Sequence, residues 1–246
     1  TIQATSFDSC NNLKITIPTD EASVKAYLAS GWSDATLQKI PYLLDPANLP
    51  AGYWLEYTTT DNQPVQFKDS NIFYSYYLNG KGVALSRKQI TSFGGFASGA
   101  ARILTCTLPE SVSAIAASAF AGCSSMTSFV IPEAVTAINV STFKGCSSLT
   151  ELTIPQNLEE IGASAFENCT SLAKFEFPNK VTTINKSAFA GCVKLNNVLI
   201  HKGITTIGAN AFAGCTGLTS LEFESATPPT IQATSFDSCN NLKITI

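Results

Sequence analysis

The sequence predicts an α/β, β-rich solenoid: a right-handed stack of 23-residue coils with a parallel sheet on one face and a small aromatic-rich β cap. Three observations predict it. Phe120, Phe143, Phe166, Phe189 and Phe212 recur every 23 residues, and Cys123, Cys146, Cys169, Cys192 and Cys215 follow each Phe by three. Every unit carries an alternating stretch such as Leu149-Thr-Glu-Leu152-Thr-Ile154, which is how a strand with one buried face is written. Pro109, Pro132, Pro155 and Pro178 close that stretch, because proline cannot donate to a ladder.

Between the strands, Ala165-Phe166-Glu-Asn-Cys169 and Ala211-Phe212-Ala-Gly214-Cys215 are small and Gly-bearing, which suits a tight turn or one helical turn. A 23-residue unit cannot enclose its own apolar side chains, so the units must stack into one shared core.

The recurring string Ile-Pro-x-x-Val-Thr-x-Ile-x-x-x-Ala-Phe-x-x-Cys-x-x-Leu-Thr-x-Leu resembles the leucine-rich repeat of the BspA-like (Bacteroides surface protein type) family. The resemblance implies a surface-displayed or secreted bacterial adhesion module that binds macromolecules, often host matrix proteins, without catalysis and without a cofactor.

In chain order, residues 1–41 read as a last repeat coil plus the helical cap of a preceding module. Thr1–Ile17 is identical to Thr230–Ile246, an offset of 229, whereas neighbouring repeats agree only at framework positions. A gene that repeats a 229-residue unit, an assembly role for the two copies, or an artefact would each produce this. Thr19 or Asp20 can cap a helix through Glu21–Leu28 that places Val24, Tyr27 and Leu28 on one face, with Gly31 stopping it. With Trp32, these residues resemble the cap that follows the last repeat in the family. A cap is needed because a terminal coil otherwise exposes apolar surface and an open edge.

Residues 42–95 read as a β-hairpin N-terminal cap region, and 96–246 as the repeat array. Tyr42, Tyr53, Trp54, Tyr57, Phe67, Phe73, Tyr74, Tyr76 and Tyr77 gather in the former. Trp54–Thr60 reads as a strand before an Asp61-Asn62 turn, and Asn71–Leu78 pairs with Val83–Leu85 across Asn79-Gly80. The strings Tyr57-Thr-Thr-Thr-Asp61 and Asn79-Gly-Lys-Gly-Val83 resemble the opening region of family members. Gln89–Phe93 begins a degenerate first repeat.

Composition excludes several classes. The chain is 45% hydrophobic and 13% charged, with a net charge of -3, and its sequence pI is near 5.2. Lys and Arg are scattered, which is the wrong pattern for a nucleic-acid binder, and no apolar run reaches membrane-spanning length. The start at Thr1 without a leader-like stretch reads as a processed or trimmed piece. Of the eight cysteines, Cys10 and Cys239 repeat the ladder position and Cys106 falls where other coils carry Leu152 or Phe175. Side chains that repeat in parallel along a stack suit neither a disulfide nor tetrahedral zinc, so they read as free buried thiols.

Nothing reads as an enzyme. His201 is the single histidine; it replaces a strand-ending proline and reads as an exposed turn residue, with no nucleophile or metal partner at catalytic spacing. Asn139-Val-Ser141, Asn168-Cys-Thr170 and Asn185-Lys-Ser187 lie in repeat turns and read as compositional. Binding then falls to the outward positions of the repeated strand: Ser128, Glu151, Lys174, Asn197 and Ser220 in one column, and Val130, Thr153, Glu176, Leu199 and Glu222 in the next. A protein partner on that face is the first expectation. The alternatives are a head-to-tail fibre in which residues 1–17 and 230–246 interchange, and carbohydrate binding by Trp54, Tyr74 and Tyr76.

Overall fold

A computed structural model describes residues 20–38, 44–78 and 80–245. The Thr1–Ile17 copy, Cys10, Thr19, Tyr42 and the Asn79 turn position lie outside the described residues.

The described chain opens with α1 (Glu21–Leu28) and α2 (Asp34–Leu37). Asp20 caps α1 by accepting from the Ser23 N–H at 2.9 Å. Gly31 does not stop the helix as expected. Ala29 ends it in a right-handed conformation, its N–H bonded to the Lys25 carbonyl, and the Ser30 N–H takes the Tyr27 carbonyl. Val24, Leu28 and Leu37 are buried against Phe73, Val83 and Leu85. Arg87 ties this contact down through Asp34, and Gln38 Nε2 donates to the Phe73 carbonyl at 3.2 Å.

The hairpin that receives the helices belongs to a four-stranded antiparallel sheet. β1 (Trp54–Thr59) lies between β4 (Lys81–Ser86) and β7 (Ile103–Thr107), and β3 (Ile72–Leu78) pairs with β4. β2 (Gln66–Phe67) pairs with β6 (Phe96–Ser98). β5 (Ser92–Phe93) pairs in parallel with β8 (Ala114–Ile115), so the degenerate first repeat already runs as a coil, and Phe93 stacks on Phe120 at 5.0 Å.

From Ser128 the chain climbs as a β-solenoid with two walls. The outer wall holds β9 (Ser128–Val130), β11 (Glu151–Thr153), β14 (Asn197–Ile200), β16 (Ser220–Phe223) and β18 (Lys243–Thr245). The back wall holds β10 (Ala137–Ile138), β12 (Glu160–Ile161), β13 (Thr183–Ile184), β15 (Thr206–Ile207) and β17 (Thr230–Ile231), all parallel and hydrogen-bonded in that order. Between the walls lie the Phe-x-x-Cys turns. Gly122, Gly145, Gly191 and Gly214 take φ of 73° to 75° there, and Asn168 fills the same left-handed position in its coil.

The marker phenylalanines form one buried column. Phe120, Phe143, Phe166, Phe189 and Phe212 are fully buried, and successive ring centroids lie 5.2–5.4 Å apart in near-parallel stacks, close to the ~4.8 Å strand repeat. The cysteines run alongside. Cys146, Cys169, Cys192, Cys215 and Cys239 each donate Sγ–H to the Phe carbonyl of the coil below, at 3.1–3.2 Å.

One feature departs from a uniform sheet. β7 has no ladder to β9, and no backbone hydrogen bond joins β11 to the Lys174–Phe177 segment among the described residues; Lys174 keeps a single bridge to Asn197. Both breaks precede a coil whose first inward strand residue is Phe. Phe129 leans against Phe120 at 4.5 Å and Phe143 at 5.5 Å, and Phe175 against Phe166 at 5.2 Å and Phe189 at 4.7 Å. A ring drawn forward between its own marker and the next carries its strand away from the strand before. Where the same position holds Leu152, Leu221 or Ile244, pairing with the strand before is intact. Phe at the second inward position is harmless, since Phe223 stays in register with Ile200.

Candidate functional site

The expected columns exist in two blocks. Ser128 is in register with Glu151 and Val130 with Thr153. Lys174 bridges Asn197, which pairs with Ser220, while Leu199 pairs with Glu222. The break between Glu151 and Lys174 separates the blocks, and Glu176 has no ladder partner among the described residues. Glu151, Thr153, Lys174, Glu176, Asn197 and Glu222 are exposed, and Ser128 and Ser220 are half-buried. Val130 is 65% exposed and Leu199 49%, like Ile244 at 55% in the last described outer strand. The surface that results is mixed in charge, with two apolar points.

Both breaks open clefts on this face. One, of about 480 Å³, lies between β7 and β9 and is lined by Thr107, Leu108, Glu110, Phe129, Val130 and Glu133. The other, of about 340 Å³, lies between Leu152 and Phe175; there Leu152 and Ile154, inward by pattern, are only half-buried. A third hollow of about 370 Å³ lies on the far side of Lys174–Phe177 and reaches Glu222 and Glu224. Period-based reasoning missed these clefts because it treats every inward side chain as equivalent. The alternation of Phe with smaller residues at 106, 129, 152 and 175 was the available signal.

His201 corrects an expectation. It is 7% exposed, not an open turn residue. Its Nδ1 accepts the Gly203 N–H at 3.0 Å, so a neutral ring carries its proton on Nε2, which is buried without a hydrogen-bond partner among the described residues. Glycine at 203 leaves the ring its place, since a Cβ there would lie 2.9 Å from it and the ring would have to shift.

The thiols among the described residues offer no reactive nucleophile. Cys106, Cys123, Cys146, Cys169, Cys192 and Cys215 are buried and free, and Cys239 is partly exposed. Burial pushes Cys123 and Cys215 up to about 12 and raises Cys106, Cys192 and Cys239. Cys146 is raised first by its contact with Cys169 and then by burial. No group of three or more His, Cys, Asp or Glu residues is placed to hold a metal ion among the described residues. The Asn139 and Asn185 amides donate to the Ile115 and Ile161 carbonyls, at 2.6 and 2.8 Å, and so serve the coil itself.

The aromatic region divides. Tyr74 and Tyr76 lie 5.5 Å apart, half-buried against the helices, and the Tyr76 hydroxyl donates to the Leu44 carbonyl at 2.9 Å. Trp54 borders a cleft of about 560 Å³ with Glu56 and Gln89.

Parallel walls, a 23-residue rise and a ladder of buried Phe and Cys define a leucine-rich-repeat solenoid. The chain belongs to the BspA-type leucine-rich repeat family, whose model matches in six copies across residues 69–195 and 113–243. No curated protein matches it significantly. Among solved structures, it is similar to a leucine-rich repeat protein of T. pallidum, at 31% identity and a TM-score of 0.50, covering 56% of this chain and 63% of that one. A leucine-rich repeat protein of Bacteroides ovatus shares 22% identity with a TM-score of 0.51, over 73% of this chain and 52% of that one. A leucine-rich cell surface protein of Faecalibacterium prausnitzii shares 24% identity with a TM-score of 0.47, over 63% and 47%. The chain thus spans less than two thirds of the length of each. No helix among the described residues is long and apolar enough to cross a membrane.

Proposed function

We propose that this domain is a non-catalytic, surface-displayed or secreted protein-binding module that engages its partner through the outer wall. One observation carries the reading: the ladder holds Ser128 against Glu151 and Val130 against Thr153 in one block, and Asn197 against Ser220 and Leu199 against Glu222 in the other, so residues far apart in sequence present aligned columns. Membership of the BspA-type family supports the surface setting. In the same reading, residues 1–41 close a preceding module, 42–95 open this one and 96–246 form the binding array. The burial of Val24 and Leu28 against the hairpin supports reading the helical segment as a joint as well as a cap.

Charge reversal at Glu151, Lys174 and Glu176 tests it. These side chains are exposed, so the triple variant is expected to unfold at the parent temperature while losing at least tenfold in affinity for an immobilised matrix protein that the parent binds. Unchanged affinity would remove the outer wall as the binding face.

A second reading, head-to-tail joining, is favoured by the identity of 1–17 with 230–246. Light scattering at rising concentration decides it, since a strict monomer throughout excludes fibres. Carbohydrate binding by Trp54, Tyr74 and Tyr76, all half-buried, is the remaining alternative; a glycan array negative for the parent chain eliminates it.

A further inference from the structure

The four-stranded antiparallel sheet turns one face to the core and the other outward, and only half of the outward face is covered. Helices α1 and α2 bury Val24, Leu28 and Leu37 on the β3 and β4 side, against Phe73, Val83 and Leu85. On the β1 and β7 side, Thr105 and Thr107 stay exposed. Glu56 faces Thr107 across that pair and Tyr57 faces Cys106, so the same register carried on would set Trp54 against Pro109. Proline has no N–H to give a ladder. Pairing stops at Glu56 and Thr107, the two segments part, and a cleft of about 560 Å³ opens between them. That volume falls in the ~300–1,000 Å³ range of ordinary ligand sites.

The base of the cleft is tied together by its own backbone. The Ile90 N–H donates to the Gly52 carbonyl at 2.7 Å, and the Ser111 hydroxyl donates to the Ile90 carbonyl at 2.7 Å. Gly52 permits this closure, since a Cβ there would lie 2.5 Å from the Ser111 Oγ. The walls carry a half-buried indole, Trp54, and two carboxylates, Glu56 and Glu110, but no Lys or Arg. Glu56 already has Lys81 at 3.1 Å. Glu110 is exposed and has no ion-pair partner among the described residues. An indole beside an unneutralised carboxylate is complementary to a cation. Glu110 also lines the cleft beside Val130, so the site is continuous with the outer wall.

We propose that this cleft binds an arginine side chain of the partner protein, its guanidinium stacked on Trp54 and donating N–H groups to Glu110. A planar guanidinium serves both groups at once, because it stacks on an aromatic face and forks a carboxylate, which a Lys ammonium does not. The arginine stem lies along Pro109 and Ala51 at the mouth. This rests on the protein-binding reading above and names the partner's anchoring group. It sets that anchor at the end of the outer wall where Thr107, Leu108 and Glu110 border both clefts.

The test uses the full 246-residue chain and an end-blocked Gly-Gly-Arg-Gly-Gly peptide, followed by the indole N–H resonances of the two tryptophans. The peptide is expected to shift the Trp54 signal saturably and leave that of Trp32 unmoved. The same peptide with citrulline, a neutral urea of nearly the same shape, is expected to bind about tenfold more weakly, as is a Lys version. Glu110→Gln is expected to lose about tenfold in affinity for the arginine peptide and to unfold at the parent temperature, its side chain being exposed. Trp54→Leu is expected to abolish binding. Should that variant not fold, since Trp54 also packs on the helical cluster, Glu110→Gln and the citrulline comparison decide.

Equal binding by citrulline or Lys, unchanged affinity in Glu110→Gln, or no shift of Trp54 at any peptide concentration would overturn the proposal. A Trp54 shift produced by maltotriose and not by the arginine peptide would assign the ring to a sugar and overturn it too. The broader reading fails separately. If a partner is lost on reversal of Glu151, Lys174 and Glu176 but binds Glu110→Gln normally, the outer wall remains the binding face and the arginine cleft does not.

Discussion

The two walls of one coil stack behave differently, and the difference lies in what each puts inside. The back wall repeats one residue: Ile138, Ile161, Ile184, Ile207 and Ile231 stand in register and five strands bond without interruption. The outer wall repeats a slot but not a side chain, with Cys106, Phe129, Leu152, Phe175, Val198 and Leu221 in succession, and it breaks twice. From β10 to β17 identical inward residues let each coil sit on the last at strand spacing; one coil earlier Ile115 of β8 carries the same side chain yet has no ladder to β10 among the described residues, its carbonyl taking the Asn139 side-chain amide instead. Varied inward residues make each coil find its own fit. Because rings stay stacked across each break, Phe93 on Phe120 at 5.0 Å and Phe143 on Phe166 at 5.4 Å, the mismatch appears as lost strand pairing and not as a gap in the core.

The largest effect expected from this arrangement follows removal of a ring that both walls share. Phe143 is fully buried between Phe120 and Phe166, at 5.3 and 5.4 Å. Phe143→Ala is expected to cost about 3–5 kcal/mol in denaturant unfolding, and a loss within that range places the energy of the fold in the column and not in either wall.

The thiol ladder gives the next effect, visible as a pH dependence. Cys123 and Cys215 titrate near 12 when folded and near 9 when free of burial. The folded state therefore holds more protons between those values, and stability that is complete below pH 9 is lost as pH rises toward 12. Urea midpoints recorded from pH 7 to 11 are expected to fall above 9. Cys123→Ala, lacking one such thiol, is expected to fall less steeply, and equal slopes would argue against burial as the cause.

A third experiment inverts the comparison by writing the outer-wall defect where there is none. Leu221→Phe places a ring at the first inward position of a coil now in full register with Val198. It is expected to open a third break, read as faster amide exchange in β14 and β16, at a cost of about 1–3 kcal/mol for overfilling. Intact protection would show that Phe alone does not part the strands.

Period and residue type made the stack, the strand positions and the buried thiols legible before any coordinates, since Phe, Cys, Leu and Pro recur at fixed offsets and each needs the same environment in every coil. The α1 boundaries were legible from Asp20 and the Val24, Tyr27, Leu28 face. His201 was not, because a polar residue in a proline slot suggests exposure, while its actual burial depends on the adjacent Gly203 leaving room for the ring. The clefts were not legible either. They come from side-chain size at one column, and pattern reading records polarity and spacing but not how far a ring must lean to pack.

The smallest effect is reserved for the wall that works. Ile161 is fully buried and pairs with both Ile138 and Ile184. Ile161→Val removes one methylene while keeping the β-branch that suits a strand, so the coil can settle onto its neighbours without a ring or a void to accommodate. The expected cost is about 0.5–1.5 kcal/mol, with amide protection of β10, β12 and β13 unchanged. If this small deletion instead opened the back wall as Leu221→Phe opens the outer one, uniformity of side chain would not be what keeps the ladder closed. The wall would then owe its continuity to side-chain hydrogen bonds onto the backbone, such as that from the Asn185 amide to the Ile161 carbonyl.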